Sequence, residues 1–80
     1  MDKIDVIRES ITRLYKTNPH IHISVNMIRP KLNIDNQSAV ITGVYANLFR
    51  IEENSLGFRR YHSIQYSALL IGQVKIAELE

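Results

Sequence analysis

Three histidines are the side chains whose type and spacing most directly suggest chemistry. His20 and His22 stand two residues apart, so on a β-strand both imidazoles lie on one face, and His62 is a candidate third member. Two or three neutral imidazoles can hold zinc or copper. The alternative is that they fill solvent-facing positions of the strand, because no Asp, Glu or Cys stands at a convincing ligand spacing. We therefore predict no metal and no other cofactor.

Catalytic groupings are weaker still. None of the serines lies in a nucleophile-elbow sequence, and no glycine-rich phosphate loop is present. Glu52 and Glu53 are adjacent carboxylates at a predicted hairpin, where solvation would leave both of them ordinary. A chain of 80 residues also has little room for a pocket that excludes water. We expect a protein without enzymatic activity.

Cations and aromatic residues give a more suggestive pattern. Arg29 and Lys31 flank Pro30, and Arg59 and Arg60 stand at the start of a later predicted strand. The candidate partner- or nucleic-acid-binding residues are Arg29, Lys31, Arg59, Arg60 and Tyr61. If these residues lie together, arginine and exposed rings suit single-stranded nucleic acid. The alternative is that Tyr45, Phe49 and Tyr66 are core residues and the cations form a solvated rim, because a net charge of +2 is a weak electrostatic footprint.

Composition limits the class of protein. The chain has 80 residues, of which 45% are hydrophobic, so we expect a single domain over residues 1–80 with one modest core. The absence of cysteine excludes disulfides and thiolate metal sites. The charged first residues do not resemble a signal peptide, and no stretch approaches the ~18 apolar residues of a membrane span. A cytoplasmic protein without membrane attachment is the expectation.

Apolar periodicity predicts one helix, at about residues 2–16. Apolar residues recur there at intervals of three and four, at Ile4, Ile7, Ile11 and Leu14. Asp2 is the expected N-cap, and Pro19 ends the helix because it disfavours helical geometry in the residue before it.

The remainder, about residues 20–79, predicts five short strands. His20 to Met27 alternates strictly between polar and apolar residues, whereas Ile28 to Gln37 contains Pro30 and several turn formers and is predicted to be a loop. Gly43 predicts a bulge or sharp bend. The other strands are predicted at Ala39 to Tyr45, Leu48 to Glu52, Arg59 to Tyr66 and Val74 to Leu79. The connections are predicted as a tight turn or a kink at Ala46–Asn47, a hairpin loop at Glu53 to Gly57 and a single helical turn at Ser67 to Leu70. The fold class is mainly β, a small five-stranded SH3-like or Sm-like barrel without free edges and with one N-terminal α-helix.

Two stretches of the second half resemble the Veg family, small biofilm-formation stimulators of Gram-positive bacteria. In the stretch Ile41 to Ile51, Tyr45 and Phe49 match the Tyr-Pro-x-x-Phe centre of that family. In the stretch Ser63 to Ile76, the Tyr-x-Asp-hydrophobic-Leu-Thr-x-x-Val segment is matched at Tyr66, Leu70 and Val74. The predicted helix also falls where the family has one.

The chain departs from the family pattern as a diverged member would. Ala46, Ala68 and Ile71 stand where the family has proline, aspartate and threonine, and Asn26 to Lys31 replaces a basic glycine-rich loop. The resemblance implies a cytoplasmic, non-enzymatic regulatory or adaptor protein that contacts another protein, in transcriptional control of biofilm formation. A transcriptional regulator is the implied partner. A nucleic-acid-binding barrel is the alternative, and the strand edge at Val74 to Leu79 makes a homodimer plausible.

Overall fold

The computed structural model describes residues 2–28, 31–55 and 57–79. The elements are α1 (Lys3–Thr17), β1 (His20–Ile28), β2 (Lys31–Val44), β3 (Leu48–Ser55), β4 (Phe58–Gln65), α2 (Tyr66–Leu70) and β5 (Val74–Ile76), followed by a 3₁₀ turn at Ala77–Leu79. The five strands form one antiparallel sheet in the order β4-β3-β2-β1-β5. The mainly β class, the five strands and the N-terminal helix are confirmed. β4 and β5 are edge strands that do not pair with each other, so the sheet is not closed and the barrel class stays a prediction.

Helix α1 forms as its sequence predicts. The Asp2 carboxylate accepts a hydrogen bond from the Ile4 amide at 3.3 Å, and the helix ends at Thr17, just before Asn18-Pro19. Ile11 is fully buried at the centre of the apolar stripe. The other members of the stripe, Ile4, Ile7 and Leu14, pack against the core at partial exposure. Arg8 Nη1 also donates to the Ala46 carbonyl at 2.9 Å, which ties α1 to the turn between β2 and β3.

Strand β1 follows its predicted alternation, but the predicted loop at Ile28 to Gln37 is wrong. β2 already begins at Lys31 and pairs with β1 along its whole first half. Leu32 and Ile34 become half-buried there, opposite Met27 and Val25. Cross-strand pairing therefore outweighs the turn propensity of the intervening Asn and Asp residues. Arg29 and Pro30, on which part of that prediction fell, lie outside the described residues.

Gly43 marks a bulge, as predicted. The register between β2 and β3 shifts between Ile41 and Gly43. A Cβ atom on residue 43 would lie 2.8 Å from Tyr45 Oη, because the ring of Tyr45 folds back over the glycine. Tyr45 itself is 52% exposed, so the interpretation of this ring as a core residue is wrong. The connection at Ala46–Asn47 is a turn, which the bond from the Tyr45 amide to the Leu48 carbonyl closes at 2.9 Å.

Two predicted segments differ in length from those in the structure. The hairpin loop at Glu53 to Gly57 is shorter than predicted, because β3 continues to Ser55 and pairs there with Phe58. Gly57 has a φ of +81°, a conformation that favours glycine and that lets so short a connection turn. β5 is also shorter than predicted, because the chain turns into the 3₁₀ helix after Ile76.

The core lies on one face of the sheet, beneath α1 and α2. Phe49 and Tyr66 are both fully buried and stack with ring centroids 5.7 Å apart. The Tyr66 hydroxyl donates to the Tyr45 carbonyl at 2.7 Å, which satisfies the polar end of this ring. Burial raises the pKa of Tyr66 above its ordinary value of 10.0, despite the opposing effects of that hydrogen bond and of Arg8. The helical turn predicted at Ser67 to Leu70 is confirmed as α2, which begins one residue earlier, at Tyr66, a residue predicted to end the strand before it.

Candidate interaction edge

The outer edge of β4 carries backbone groups that point away from the sheet. In an antiparallel ladder, residue pairs alternate between those that exchange hydrogen bonds and those that do not. The Tyr66 amide donates to the Asn47 carbonyl, which fixes this alternation along the uniform β3–β4 register. Ile64, His62 and Arg60 therefore bond to β3. The residues whose N–H and C=O groups point outward are Arg59, Tyr61, Ser63 and Gln65.

Aromatic and basic side chains cluster at the start of this edge. Phe58 is 70% exposed and Tyr61 is 55% exposed, and both arginines between them are exposed as well. Tyr61 lies on the outer face of the sheet with Arg59, while Phe58 and Arg60 lie on the core face. Aromatic residues and arginine are the types that dominate protein contact surfaces. We name the strand β4 together with these side chains the β4 edge.

The β4 edge has an excess of positive charge. Arg59 Nε lies 3.4 Å from Glu52 Oε1; the arginine of this pair is largely exposed, whereas the glutamate is half-buried. In the part of the chain that the structure describes, no carboxylate lies within 4.0 Å of the guanidinium of Arg50 or of Arg60. Arg50 pairs in register with Ser63 on the outer face, and Arg60 pairs with Glu53 on the core face. Arg60 on the core face of the β4 edge and Arg50 on the outer face of the neighbouring strand β3 are thus available to an anionic group.

Glu53 does not behave as the sequence predicts. This residue is 6% exposed, and its Oε2 lies 3.0 Å from Nε2 of His62, whose side chain is 18% exposed. With an ionised carboxylate, Nε2 is the donor of this hydrogen bond. The expectation that both carboxylates of Glu52–Glu53 are solvated is therefore wrong for Glu53, which is buried. Its partner His62 is held on the core face, beside Ile51.

The three histidines do not converge. His20 and His22 share the outer face of β1, as predicted, whereas His62 lies on the core face of β4. His22 Nδ1 lies 2.9 Å from Glu78 Oε2, and the His22 amide donates to Glu78 Oε1 at 2.8 Å. Within residues 2–28, 31–55 and 57–79, no group of three or more His, Asp or Glu side chains could hold a metal ion.

The predicted basic patch is only partly assembled. Arg59, Arg60 and Tyr61 are consecutive residues of β4, as the sequence requires. Lys31 is the first residue of β2. It lies about 26 Å along that strand from Ala39, and Ala39 pairs with Glu53 of β3. Because Glu53 in turn pairs with Arg60, the structure places Lys31 and the two arginines at different levels of the sheet. Arg29 lies outside the described residues.

A cleft of about 400 Å³ lies on the open side of the sheet, between the end of β4, helix α2, Met27 of β1 and Gln73, the residue before β5. Its apolar walls are Met27 from β1, Ile64 from β4, and Ala68 and Ile71 from α2 and its C-cap. Ser63 and Gln65, two of the outward-pointing residues, form its polar rim. Ile71 is 66% exposed, so this apolar surface is open to solvent. We name this feature the seam cleft.

The site predicted from the sequence did not include Phe58, Arg50, Ser63 or the seam cleft. A signal for the edge is present in β4, whose core-face positions are polar at Arg60 and His62, between the apolar residues Phe58 and Ile64. Polar residues at inward-pointing positions of a strand are typical of a sheet edge. The seam cleft has no such local signal, because residues from three separate segments form it.

No protein-family model, curated protein or solved structure matches this chain. None of the described helices is long and apolar enough to span a membrane.

Proposed function

We propose that this chain is a non-enzymatic regulatory or adaptor protein of the cytoplasm that binds another protein along the β4 edge. The observation that carries the proposal is the row of outward-pointing backbone groups at Arg59, Tyr61, Ser63 and Gln65. An uncovered strand edge binds an extended segment of a partner by adding it to the sheet. Phe58 and Tyr61 supply exposed rings beside that row.

The distribution of titratable groups supports a binding role. The buried carboxylate Glu53 is engaged by His62 beneath the sheet, and Glu78 is engaged by His22 at the other edge. These two pairs sit on different strands and different faces, so they do not converge on one reacting group. The likeness of the second half to Veg supports a transcriptional regulator as the partner and the control of biofilm formation as the setting.

The test uses a proline variant at an outward position. Ser63→Pro removes an N–H that bonds to nothing within the sheet, and proline is tolerated at such edge positions. Ser63→Val is the matched control, because it keeps the N–H and changes only the side chain. Each protein is immobilised and exposed to nuclease-treated lysate of its native cell, and captured proteins are purified for direct binding measurements. A protein that binds wild type and Ser63→Val but not Ser63→Pro is the expected result; capture unaffected by proline contradicts the proposal.

Nucleic-acid binding is the second candidate function, and one observation favours it. Arg50, Arg59 and Tyr61 share the outer face of β3 and β4, where bases could stack on the ring and phosphates could meet the cations. Fluorescence anisotropy with short labelled single-stranded and double-stranded oligonucleotides tests it. Micromolar binding that falls steeply with salt, and that Tyr61→Ala and Arg50→Gln weaken, would put nucleic acid ahead of a protein partner. Absence of binding at low salt would exclude this candidate.

A further inference from the structure

We infer that the segment bound along the β4 edge carries an aliphatic side chain and a carboxylate four residues apart, the first filling the seam cleft and the second pairing with Arg60. This inference rests on the proposed function and names the chemistry of its partner. The inference follows from the register of β4 and from two features along it, the seam cleft beside Ile64 and the exposed guanidinium of Arg60.

The first step is the face of the sheet on which each feature lies. Ile64, which lines the seam cleft, and Arg60 both project from the core face of β4, because their numbers differ by an even count. A strand added to β4 continues the same pleat, so residues opposite Ile64 and opposite Arg60 also share that face. They are four residues apart whether the added strand runs parallel or antiparallel to β4.

The second step is the chemistry at each end. The seam cleft is walled by Met27, Ala68 and Ile71 and holds no charged lining residue. An aliphatic side chain placed there would cover the exposed surface of Ile71. At the other end Arg60 is exposed and lacks a carboxylate within 4.0 Å in the described residues; the side chain of Glu53, which pairs with it in register, contacts His62. A carboxylate of the partner would meet its guanidinium, and a cation there would be repelled.

The third step concerns the outer face. In the added strand, the residues that alternate with the aliphatic residue and the carboxylate would lie on the outer face. There they would face Arg59, Tyr61 and Ser63, which are exposed. Arg59 is paired with Glu52 on this face, and Arg50, which has no carboxylate within 4.0 Å in the described residues, lies on β3, one strand further from the added segment than Arg60. Discrimination between acidic and basic segments is thus expected to depend on Arg60 more than on Arg59.

The test uses synthetic host peptides of serine and threonine, so the probe is defined before any natural partner is known. One peptide places leucine and glutamate four residues apart, a second replaces the glutamate with lysine, and a third places leucine and glutamate three residues apart. The third peptide puts its two side chains on opposite faces of the added strand. Binding is followed by two-dimensional nuclear magnetic resonance titration of the labelled protein, which also locates the contact.

We expect the first peptide to bind about tenfold more tightly than either of the others, with shifts at Ser63, Gln65 and Ile71. Arg60→Gln should remove the preference for glutamate over lysine, and the matched variant Arg59→Gln should keep it. Ile71→Ser should weaken the first peptide about fivefold or more, whereas Ile28→Ser, at another exposed apolar position, should not. Folding of each variant is checked by its amide spectrum.

The outcomes separate this inference from the proposed function. Equal binding of all three peptides, or none at millimolar concentration, overturns the inference. If Ser63→Pro still abolishes capture of a protein, the proposed function survives with a partner of different chemistry. Sedimentation that shows a dimer of wild type but not of Ser63→Pro would overturn the inference in favour of a second copy of the chain as the occupant. Peptide binding that Ser63→Pro leaves unchanged would contradict both.

Discussion

The two edges of the sheet differ in how their backbone groups are satisfied. On the β1 side the His22 amide donates to Glu78 at 2.8 Å, the His20 amide reaches the Asn18 side chain at 3.4 Å, and β5 covers the next residues of β1. β5 itself is only three residues long and carries Lys75 at its centre. On the other side the β4 edge runs for eight residues, and its four outward positions have no such cover in the described chain.

This difference indicates which edge is available for binding. Short strands, capping side chains and edge lysines are devices that prevent one sheet from adding to another. The chain concentrates these devices at β1 and β5 and places exposed rings and arginines along β4. The homodimer expected from the sequence through Val74 to Leu79 therefore has little free backbone to use at that edge, and self-association through β4 is the alternative to test.

The largest expected change in the free energy of unfolding comes from removing the buried ring of Tyr66, the residue that directly follows β4. Tyr66→Ala empties the space stacked on Phe49 and should lower the free energy of unfolding by about 3–5 kcal/mol. Tyr66→Phe keeps the stack and loses only the bond to the Tyr45 carbonyl, so it should cost about 1 kcal/mol. Chemical denaturation measures both. Equal losses for the two variants would show that the stack is not what holds this end of β4.

A smaller effect is expected beneath the same edge. His62→Leu leaves the buried carboxylate of Glu53 without its partner and should cost about 2–3 kcal/mol, below the full value for a buried pair because His62 is partly exposed. The double variant Glu53→Leu with His62→Leu removes both polar groups and should recover most of that loss. A double variant no more stable than His62→Leu alone would mean that packing, and not the unpaired charge, sets the cost.

Amide hydrogen exchange compares the two edges directly. The Ser63 and Tyr61 amides point into solvent, whereas the His22 amide is capped by Glu78. We expect His22 to exchange at least about tenfold more slowly than Ser63 after correction for intrinsic rates. Glu78→Ala should bring His22 up to the rate of Ser63 and leave Ser63 unchanged. Similar rates at His22 and Ser63 in the wild-type protein would contradict the contrast between the edges.

The smallest expected effect is on how stability depends on pH, through Glu78, which accepts the hydrogen bond of the His22 amide on the β1 side of the sheet. Partial burial would by itself raise the pKa of Glu78. The hydrogen bonds from the ring and the backbone of His22 together lower it by more than burial raises it, so the pKa lies below its ordinary value of 4.5. A lowered folded-state pKa stabilises the fold at pH above 4.5, and this contribution is lost as pH falls through the folded-state value. Glu78→Gln should lose about 0.5–1 kcal/mol at neutral pH and show a flatter stability profile between pH 5 and pH 3. Parallel profiles for the two proteins would exclude a stabilising role of this carboxylate.

Local features were predictable because their causes lie within a few residues. The Asp2 cap, the helix stripe around Ile11 and the bulge at Gly43 each depend on residue types at short spacing. The strand at Lys31 to Gln37 was not predictable, because pairing with β1 gives Leu32 and Ile34 their burial. That pairing overrides the turn preference of the polar residues between them.

The candidate site was predictable only where it is continuous in sequence. Arg59 and Tyr61 stand on one strand, so a sequence pattern can find them. The burial of Glu53 and the separation of His62 from the other histidines depend on which face each strand presents, and a shift of one residue in register would reverse both. The seam cleft depends on where the sheet fails to close, which no local pattern specifies.

The order of the strands has a consequence for how quickly the chain folds. Three successive hairpins connect β1 to β4, so most pairings form between segments that are close in sequence. The pairing of Ile23 with Ile76 instead closes a loop of roughly fifty residues and carries the largest entropic cost. We expect the β1–β4 meander to form in the rate-limiting step and the β5 strand to dock after it. Substitutions at Val74 should then accelerate unfolding while leaving the refolding rate nearly unchanged.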